Sequence, residues 1–361
     1  MSGNSPESSP STSTEQPKKQ AAPSAASLAI DSFCGDGSTL SRSLGPAQVI
    51  EGLVIHTDKL QEIHRRFDHA RALSKIAAEP YCSLVVGESG AGKSSIIREY
   101  LRQHRPSRQP DGMIIPVLSV TTPSQATMGS VASAFLAALG DPLPDKGNID
   151  SRTRRIRKLL KQCQTEIVIL DEFQHFIDRD REKVLFTVSD WLKNLISEAR
   201  LPIVLVGLEQ SRRVLAANEQ LRRRFQSQVE VKRFNWTADR GRYLSFLQAA
   251  ERKLPFEKSS GLTNPGLAEQ IYRASDGLPA TIMKILRRAG HHALSQKSKS
   301  IELKHFQLAY DETVFQDKKG AGQPFFTTIA GNPPFASQAN QESAGKPPPK
   351  TSQTGAAAAT T

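Results

Sequence analysis

Leu84-Val85-Val86-Gly87-Glu88-Ser89-Gly90-Ala91-Gly92-Lys93-Ser94-Ser95-Ile96-Ile97 runs from an apolar, strand-like segment through a glycine-rich turn into helix formers. It carries the pattern G-x-x-x-x-G-K-[ST], a loop that holds phosphates. Glycines let successive backbone N–H groups turn toward one point with no Cβ in the way, and a helix N-terminus behind the turn adds partial positive charge. The expected occupant is a polyphosphate, held by Gly87, Glu88, Ser89, Gly90, Ala91, Gly92, Lys93, Ser94 and Ser95. Lys93 reaches the β- and γ-phosphates as a point charge, and the Ser94 hydroxyl ligates Mg²⁺. A chance match would lack the strand before and the helix after, and both are present here.

Further along, Ile167-Val168-Ile169-Leu170-Asp171-Glu172 is an apolar strand ending in two carboxylates. Asp171 is expected to hold Mg²⁺ through water. Glu172 is expected to polarise the attacking water, since in-line phosphoryl transfer depends on positioning and charge neutralisation. The plainer alternative is a pair of surface acids following a buried strand.

Around these two elements the chain alternates strands and helices. A helix led by Thr57-Asp58 carries Leu60, Ile63, Phe67, Ala70, Leu73 and Ile76 at helical spacing through Ala78. Strands are expected at 83–87, 113–120, 166–170, 202–207 and 226–232, with helices between them. This is an α/β class reading: a five-stranded parallel sheet covered on both faces. From 237 the pattern is helical alone, at 237–253, 264–275, 280–295 and 302–315, which predicts a small all-helical lid. The expected organisation is a disordered tail over 1–48, an α/β domain over 49–236, the lid over 237–316 and a second disordered tail over 317–361. Both tails are dominated by Ser, Pro, Ala, Gly and Thr, too poor in apolar surface to offset the ordering entropy. Phe325, Phe326 and Phe335 interrupt the second tail, either as a docking peptide or as scattered residues.

A length of 361 residues with 38% hydrophobic content allows two compact domains, and the net charge of +12 calls for an anionic partner. The absence of an apolar run of about 18 residues argues against a membrane span, and the first residues lack the layout of a secretory signal, so the expected location is the cytoplasm. Cys34, Cys82 and Cys163 follow no metal or redox spacing. Arg152, Arg154, Arg155, Arg157, Lys158 and Lys161 form a single-sign cluster on one helix. It suits a DNA phosphate backbone read without sequence preference, or else a solvated face. Lys284, Arg287, Arg288, His291 and His292 form a second basic region.

Gly87-Glu88-Ser89-Gly90-Ala91-Gly92-Lys93-Ser94, Leu170-Asp171-Glu172-Phe173-Gln174-His175, Val204-Leu205-Val206-Gly207 and Leu221-Arg222-Arg223-Arg224-Phe225, in this order, resemble an AAA+ ATPase. More narrowly, the stretch from about residue 50 to 315 resembles the TniB/TnsC group of bacterial transposition regulators. The resemblance implies ATP with Mg²⁺ as cofactors, and Glu172 and Lys93 as catalytic groups in cis. It also implies Arg223 or Arg224 as an arginine finger supplied to a neighbouring subunit, with a solvated or DNA-facing patch as the alternative. A polar residue by the γ-phosphate at the tip of the strand after the Asp171-Glu172 strand, sensor 1, would be Glu209 or Gln210. Val54-Ile55-His56 would lie over adenine. The lid arginine of such proteins would fall in Gly277-Leu278-Pro279-Ala280-Thr281-Ile282, where none stands and Lys284 is the nearest cation.

By the same resemblance the chain would assemble with itself as a ring or filament on duplex DNA. It would recruit a DDE transposase, meet a TniQ-like target-selection factor, and disassemble on hydrolysis. A helicase-loader or replication-initiator ATPase of the same fold is the first alternative. An ATPase that remodels proteins or signals without DNA is the second, although no aromatic pore loop is evident before Asp171-Glu172.

Overall fold

Ser83–Gly87 (β1) and Ile203–Gly207 (β6) are buried along their whole length, as parallel strands covered on both faces must be. The computed structural model describes residues 45–124, 126–176, 182–216, 218–313 and 325. With Val117–Thr121 (β4), Ile167–Asp171 (β5) and Ser227–Val231 (β7), the strands make a five-stranded sheet in the order β4-β5-β6-β1-β7. Each neighbouring pair is parallel. β6 therefore lies between the strand that feeds the phosphate loop and the strand that delivers Asp171, and both strand tips open on one edge of the sheet.

The helices of the sheet domain are Asp58–Ser74 (α2), Lys93–Gln103 (α3), Met128–Ala138 (α4), Ile149–Gln162 (α5), Glu182–Ala199 (α6), Arg212–Ala216 (α7) and Glu219–Arg224 (α8), after a leading helix Pro46–Glu51 (α1). Strand alternation sends residues to two cores. Val168 and Leu170 pack with Phe135, Leu136, Ile156 and Leu192 of α4, α5 and α6. Ile167 and Ile169 pack with Leu60, Ile63, Phe67 and Tyr100 of α2 and α3. Burying each such aliphatic side chain contributes about 1.5–3 kcal/mol.

Several local expectations change. The stretch 113–120 is not one strand, because Pro116 lacks the N–H a sheet ladder needs. Instead Ser107–Gln109 (β2) and Gly112–Ile114 (β3) form a separate antiparallel hairpin, and β4 begins after the proline. Helix α2 is capped by Thr57, whose hydroxyl accepts from the Leu60 N–H at 3.1 Å, and it stops at Ser74, leaving Ile76 82% exposed instead of on the apolar face.

The lid helices are Arg240–Glu251 (α9), Pro265–Ser275 (α10), Pro279–Ser295 (α11) and Leu303–Thr313 (α12). Their core of Tyr243, Leu247, Ile271, Ile285, Leu286 and Phe306 also takes in Leu53 and Ile55. Helix α1 begins within the stretch expected to be unstructured, and the segment expected to open the sheet domain packs on the lid. Gly290 of α11 makes room for Ile50, whose Cδ1 would lie 2.9 Å from a Cβ there, and Arg287 donates to the Leu53 carbonyl at 2.9 Å.

The second basic region is used internally as well. Arg288 and His292 face Glu312 at 2.8 and 3.1 Å, and His291 faces Glu51 at 2.6 Å. Phe325 is fully buried, stacked on Phe306 at 5.4 Å between ring centroids, with its carbonyl accepting from Gln307 at 2.7 Å. It belongs to the lid core and not to a free tail. Phe326, Phe335, Cys34 and the remainder of both expected tails lie outside the described residues. Cys82 and Cys163 are buried free thiols, and burial pushes the Cys82 thiol up to about 12. No described helix is long and apolar enough to cross a membrane.

Candidate nucleotide-binding site

β1 ends at Gly87 because nothing larger fits: a Cβ there would lie 2.3 Å from the Val231 carbonyl oxygen of β7. The chain then turns through Gly90 and Gly92, with φ of +81° and +103°, backbone that favours glycine. Helix α3 starts at Lys93; the Ser95 and Ile96 N–H groups close on the Gly92 carbonyl at 3.1 Å, which leaves the Lys93 and Ser94 N–H groups ahead of the first helical bond. Lys93 is 9% exposed, and its Nζ donates to the Gly87 and Glu88 carbonyls at 2.8 and 2.9 Å. Burial pulls its ammonium below the ordinary value, opposed by the charges of Glu172 and Asp171.

Across β6, Asp171 closes the other side. The Ser94 hydroxyl donates to Asp171 Oδ2 at 3.4 Å, and Asp171 Oδ1 accepts from the Glu172 N–H at 2.8 Å. Burial pushes the Asp171 carboxyl above its ordinary value, and the Glu172 N–H acts in the opposite direction. A half-buried carboxylate beside the hydroxyl of a cleft-lining serine fits Mg²⁺, which takes one or two protein oxygens and completes its shell with phosphate and water. Among the described residues no cluster of three or more His, Cys, Asp and Glu side chains would hold a metal without that help.

Glu172 has φ +55°, a left-handed conformation costing a non-glycine residue of order 1–3 kcal/mol. It turns the side chain back to the cleft. Gln174, which the sequence reading did not single out, is 5% exposed and uses both ends of its amide: it donates to Glu172 Oε2 and accepts from the Leu208 N–H at 3.1 Å. Gly207 is the reason it fits, since a Cβ there would lie 2.7 Å from Gln174 Oε1. The signal was an amide two residues past the candidate base.

The cleft is lined by loop residues together with Glu172, Gln174, Leu208 and, from the lid, Ala280. Glu209 is not among its lining residues; it pairs with Arg212 and is 63% exposed. Gln210, the other expected candidate, is not among them either, and the polar side chain that lines the cleft beside the tip of β6 is Gln174. Ala280 donates its N–H to the Gly90 carbonyl at 3.0 Å, which brings the lid motif onto the loop. Lys284, one turn further along α11, donates to the Thr313 carbonyl at 3.3 Å. His56, next to Ile55 of the lid core, meets Glu99 of α3 at 3.1 Å, so 54–56 bridges lid and sheet domain beside the loop.

The remaining candidates lie apart from this cleft and divide clearly. Arg224 donates to the Lys193 carbonyl at 3.0 Å and Ser197 Oγ at 2.7 Å, fastening α8 to α6, and is only 15% exposed. Arg223 is 75% exposed and, among the described residues, pairs with Glu219 of its own helix. Arg224→Ala is expected to destabilise the protein by about 1–3 kcal/mol, read by chemical denaturation, through the unpaired groups it leaves.

On α5, Arg152 donates to the Gly129 carbonyl and Ser133 Oγ at 3.0 and 2.7 Å. Arg155 holds Asp141 at 3.1 Å, and Arg157 pairs with Glu198. Those three are committed to the fold. Arg154, Lys158 and Lys161 are exposed and line one groove with Gln164 at the end of the sheet away from the phosphate loop.

A glycine loop on β1, a carboxylate pair on β5, one strand between them and a helical lid on the loop define a P-loop AAA+ fold. Solved structures agree in architecture. Cdc6p from Pyrobaculum aerophilum superposes with a TM-score of 0.54 at 14% identity, over 74% of this chain and 71% of that one. The ORC1 protein of Aeropyrum pernix, solved in complex with DNA, gives 0.52 at 16% identity over 74% and 69%. The ORC2 protein of Aeropyrum pernix, solved as ADPNP-ADP complexes, gives 0.51 at 12% over 74% and 72%. At such identities the likeness is one of fold. No curated protein matches the chain. The family model for the bacterial TniB protein matches residues 47–236, more than half of the sequence. The chain belongs to the TniB family.

Proposed function

We propose that this TniB-family protein is a Mg²⁺-dependent ATPase that assembles on duplex DNA as a regulator of transposition. The observation that carries the reading is that Lys93, Ser94 and Glu172 line one cleft, with Asp171 Oδ2 3.4 Å from the Ser94 hydroxyl. In this reading the loop N–H groups and Lys93 bind the phosphates of ATP, with Lys93 exchanging its loop carbonyls for phosphate oxygens. Ser94 and Asp171 would hold Mg²⁺, which when bound would supply charge neutralisation for the phosphates. Glu172, oriented by Gln174, accepts the proton of the attacking water. Arg223 completes the pocket of the next subunit, and release of phosphate frees the DNA.

Arg223→Ala is expected to leave stability within about 0.5 kcal/mol, as at other exposed positions. It should slow hydrolysis of the DNA-assembled protein by at least about tenfold, while residual turnover at a dilution where no assembly forms stays unchanged. Equal loss in both states would remove the trans role.

Duplex DNA is the anion we assign to Arg154, Lys158 and Lys161, the residues of α5 not spent on the fold. Replacing all three by Gln is expected to shorten the slope of log K against log salt by about 3 × 0.9, measured by fluorescence anisotropy. An unchanged slope would place the DNA elsewhere. A cytoplasmic location, a DDE transposase and a TniQ-like factor complete the reading through family membership. A helicase-loader or initiator role on the same fold is separated by capture assays with the transposase against the replicative helicase.

A further inference from the structure

One guanidinium ties the phosphate loop to the lid. Arg233, just past β7, donates from Nε to Glu88 Oε1 at 2.8 Å and from Nη2 to Glu88 Oε2, a bidentate grip on the second residue of the phosphate loop. Its own backbone N–H reaches the same carboxylate at 3.2 Å. The remaining nitrogen, Nη1, pairs with Asp276 Oδ2 at the end of α10 in the lid. The planar fork of arginine meets both carboxylates at once; a lysine would not. Arg233 also holds the Glu88 carboxyl below its ordinary value, so the loop carries a charged acid whose neutralisation depends on this contact.

The backbone around the pair is equally constrained. Asp276 and Gly277 have φ of +52° and +69°, and a Cβ on Gly277 would lie 2.2 Å from the Phe234 carbonyl. The Phe234 N–H donates to the Gly277 carbonyl at 2.9 Å, and three residues on, Ala280 reaches Gly90 at 3.0 Å. The turn 276–280 is thus clamped between the residues after β7 and the loop itself, at the place where the lid lacks an arginine of its own.

We propose that Arg233 is a positioning residue that makes loop conformation and lid position one equilibrium, so that a nucleoside triphosphate in the loop is sensed by the lid through Glu88, Arg233 and Asp276. The proposal rests on the nucleotide reading of the cleft. An ion pair exposed to this degree adds little to stability; its contribution is geometric.

The test uses the full-length protein and hydrogen exchange of two regions, 87–97 and 277–286, with and without ATP and Mg²⁺. In the unsubstituted protein ATP is expected to protect both. Asp276→Asn, which suits the left-handed backbone, should bind ATP within about threefold of normal, since only an exposed pair is altered. It should nevertheless lose lid protection by about fivefold or more, the usual scale of a coupling between sites. Arg233→Met should weaken ATP binding and abolish lid protection, and Arg233→Lys, which keeps the charge without the fork, should also fail to protect the lid. In the Glu88→Gln, Arg233→Met double variant affinity should recover while lid protection stays lost. Lid protection persisting in nucleotide-bound Arg233→Met would overturn the coupling alone. Failure of the unsubstituted protein to take up ATP would overturn the reading of the cleft, and this coupling with it.

Discussion

Lys93→Ala protein is expected to lose ATP binding by roughly 30- to 5000-fold, the 2–5 kcal/mol typical of truncating one partner of a buried, hydrogen-bonded charge pair. Lys93 is nearly enclosed, and its Nζ is already directed at the loop carbonyls that frame the phosphate position. Burial disfavours its protonated form against the pull of Glu172 and Asp171, and the atoms its Nζ touches are two neutral carbonyls. An incoming phosphate supplies the missing counter-charge. Because those carbonyl bonds also order the loop, the substitution should be accompanied by a melting measurement without nucleotide. Nucleotide affinity must fall far more than stability does. Assembly on DNA that depends on ATP should vanish with it. Retention of near-normal ATP affinity in a folded Lys93→Ala protein would contradict the placement of the phosphates.

Glu172→Gln should give the opposite phenotype. Binding is expected to persist, because Glu172 faces the cleft without holding the loop, while hydrolysis falls by about 10²–10⁴-fold, the range for loss of a positioned general base. The substitution adds little backbone strain: Gln164 of this same chain already has φ +50°, against +55° at Glu172. Since the proposed assembly dissolves on hydrolysis, the variant should stay on DNA long after the unsubstituted protein has left. Dissociation followed in real time after ATP is withdrawn separates the outcomes, and release at the unsubstituted rate would remove Glu172 from its role. Asp171→Asn is a useful companion. Burial disfavours the charge of Asp171, so a neutral side chain is tolerated by the fold, and the loss should appear as Mg²⁺-dependent nucleotide affinity and not as stability.

The elements legible in the sequence were those whose physics is local. The loop glycines, the apolar runs of β1, β5 and β6, and the acids at the tip of β5 each declare a backbone conformation or a burial state within a few residues. The errors had local causes of a different kind. Pro116 split an apolar run that periodicity alone read as one strand. Six clustered cations on α5 looked alike, yet Arg152, Arg155 and Arg157 also reach partners 14 to 41 positions away that no short window of sequence displays. Arg223 and Arg224 are adjacent and chemically identical, and only their positions around α8 separate a half-buried fastener from an exposed side chain.

From its residues alone this protein was determined to have a phosphate-binding α/β domain and a helical domain after it, because glycine φ freedom, strand alternation and helix period are properties of neighbouring residues. Which side chains meet was decided by the tertiary structure. Gln174 reaches Glu172 and Leu208 because Gly207 leaves space, Leu53 and Ile55 join a core some two hundred residues downstream, and Arg233 spans 145 positions to Glu88. Contacts of that kind follow from shape and charge assembled in three dimensions, which the order of residues specifies only through the fold.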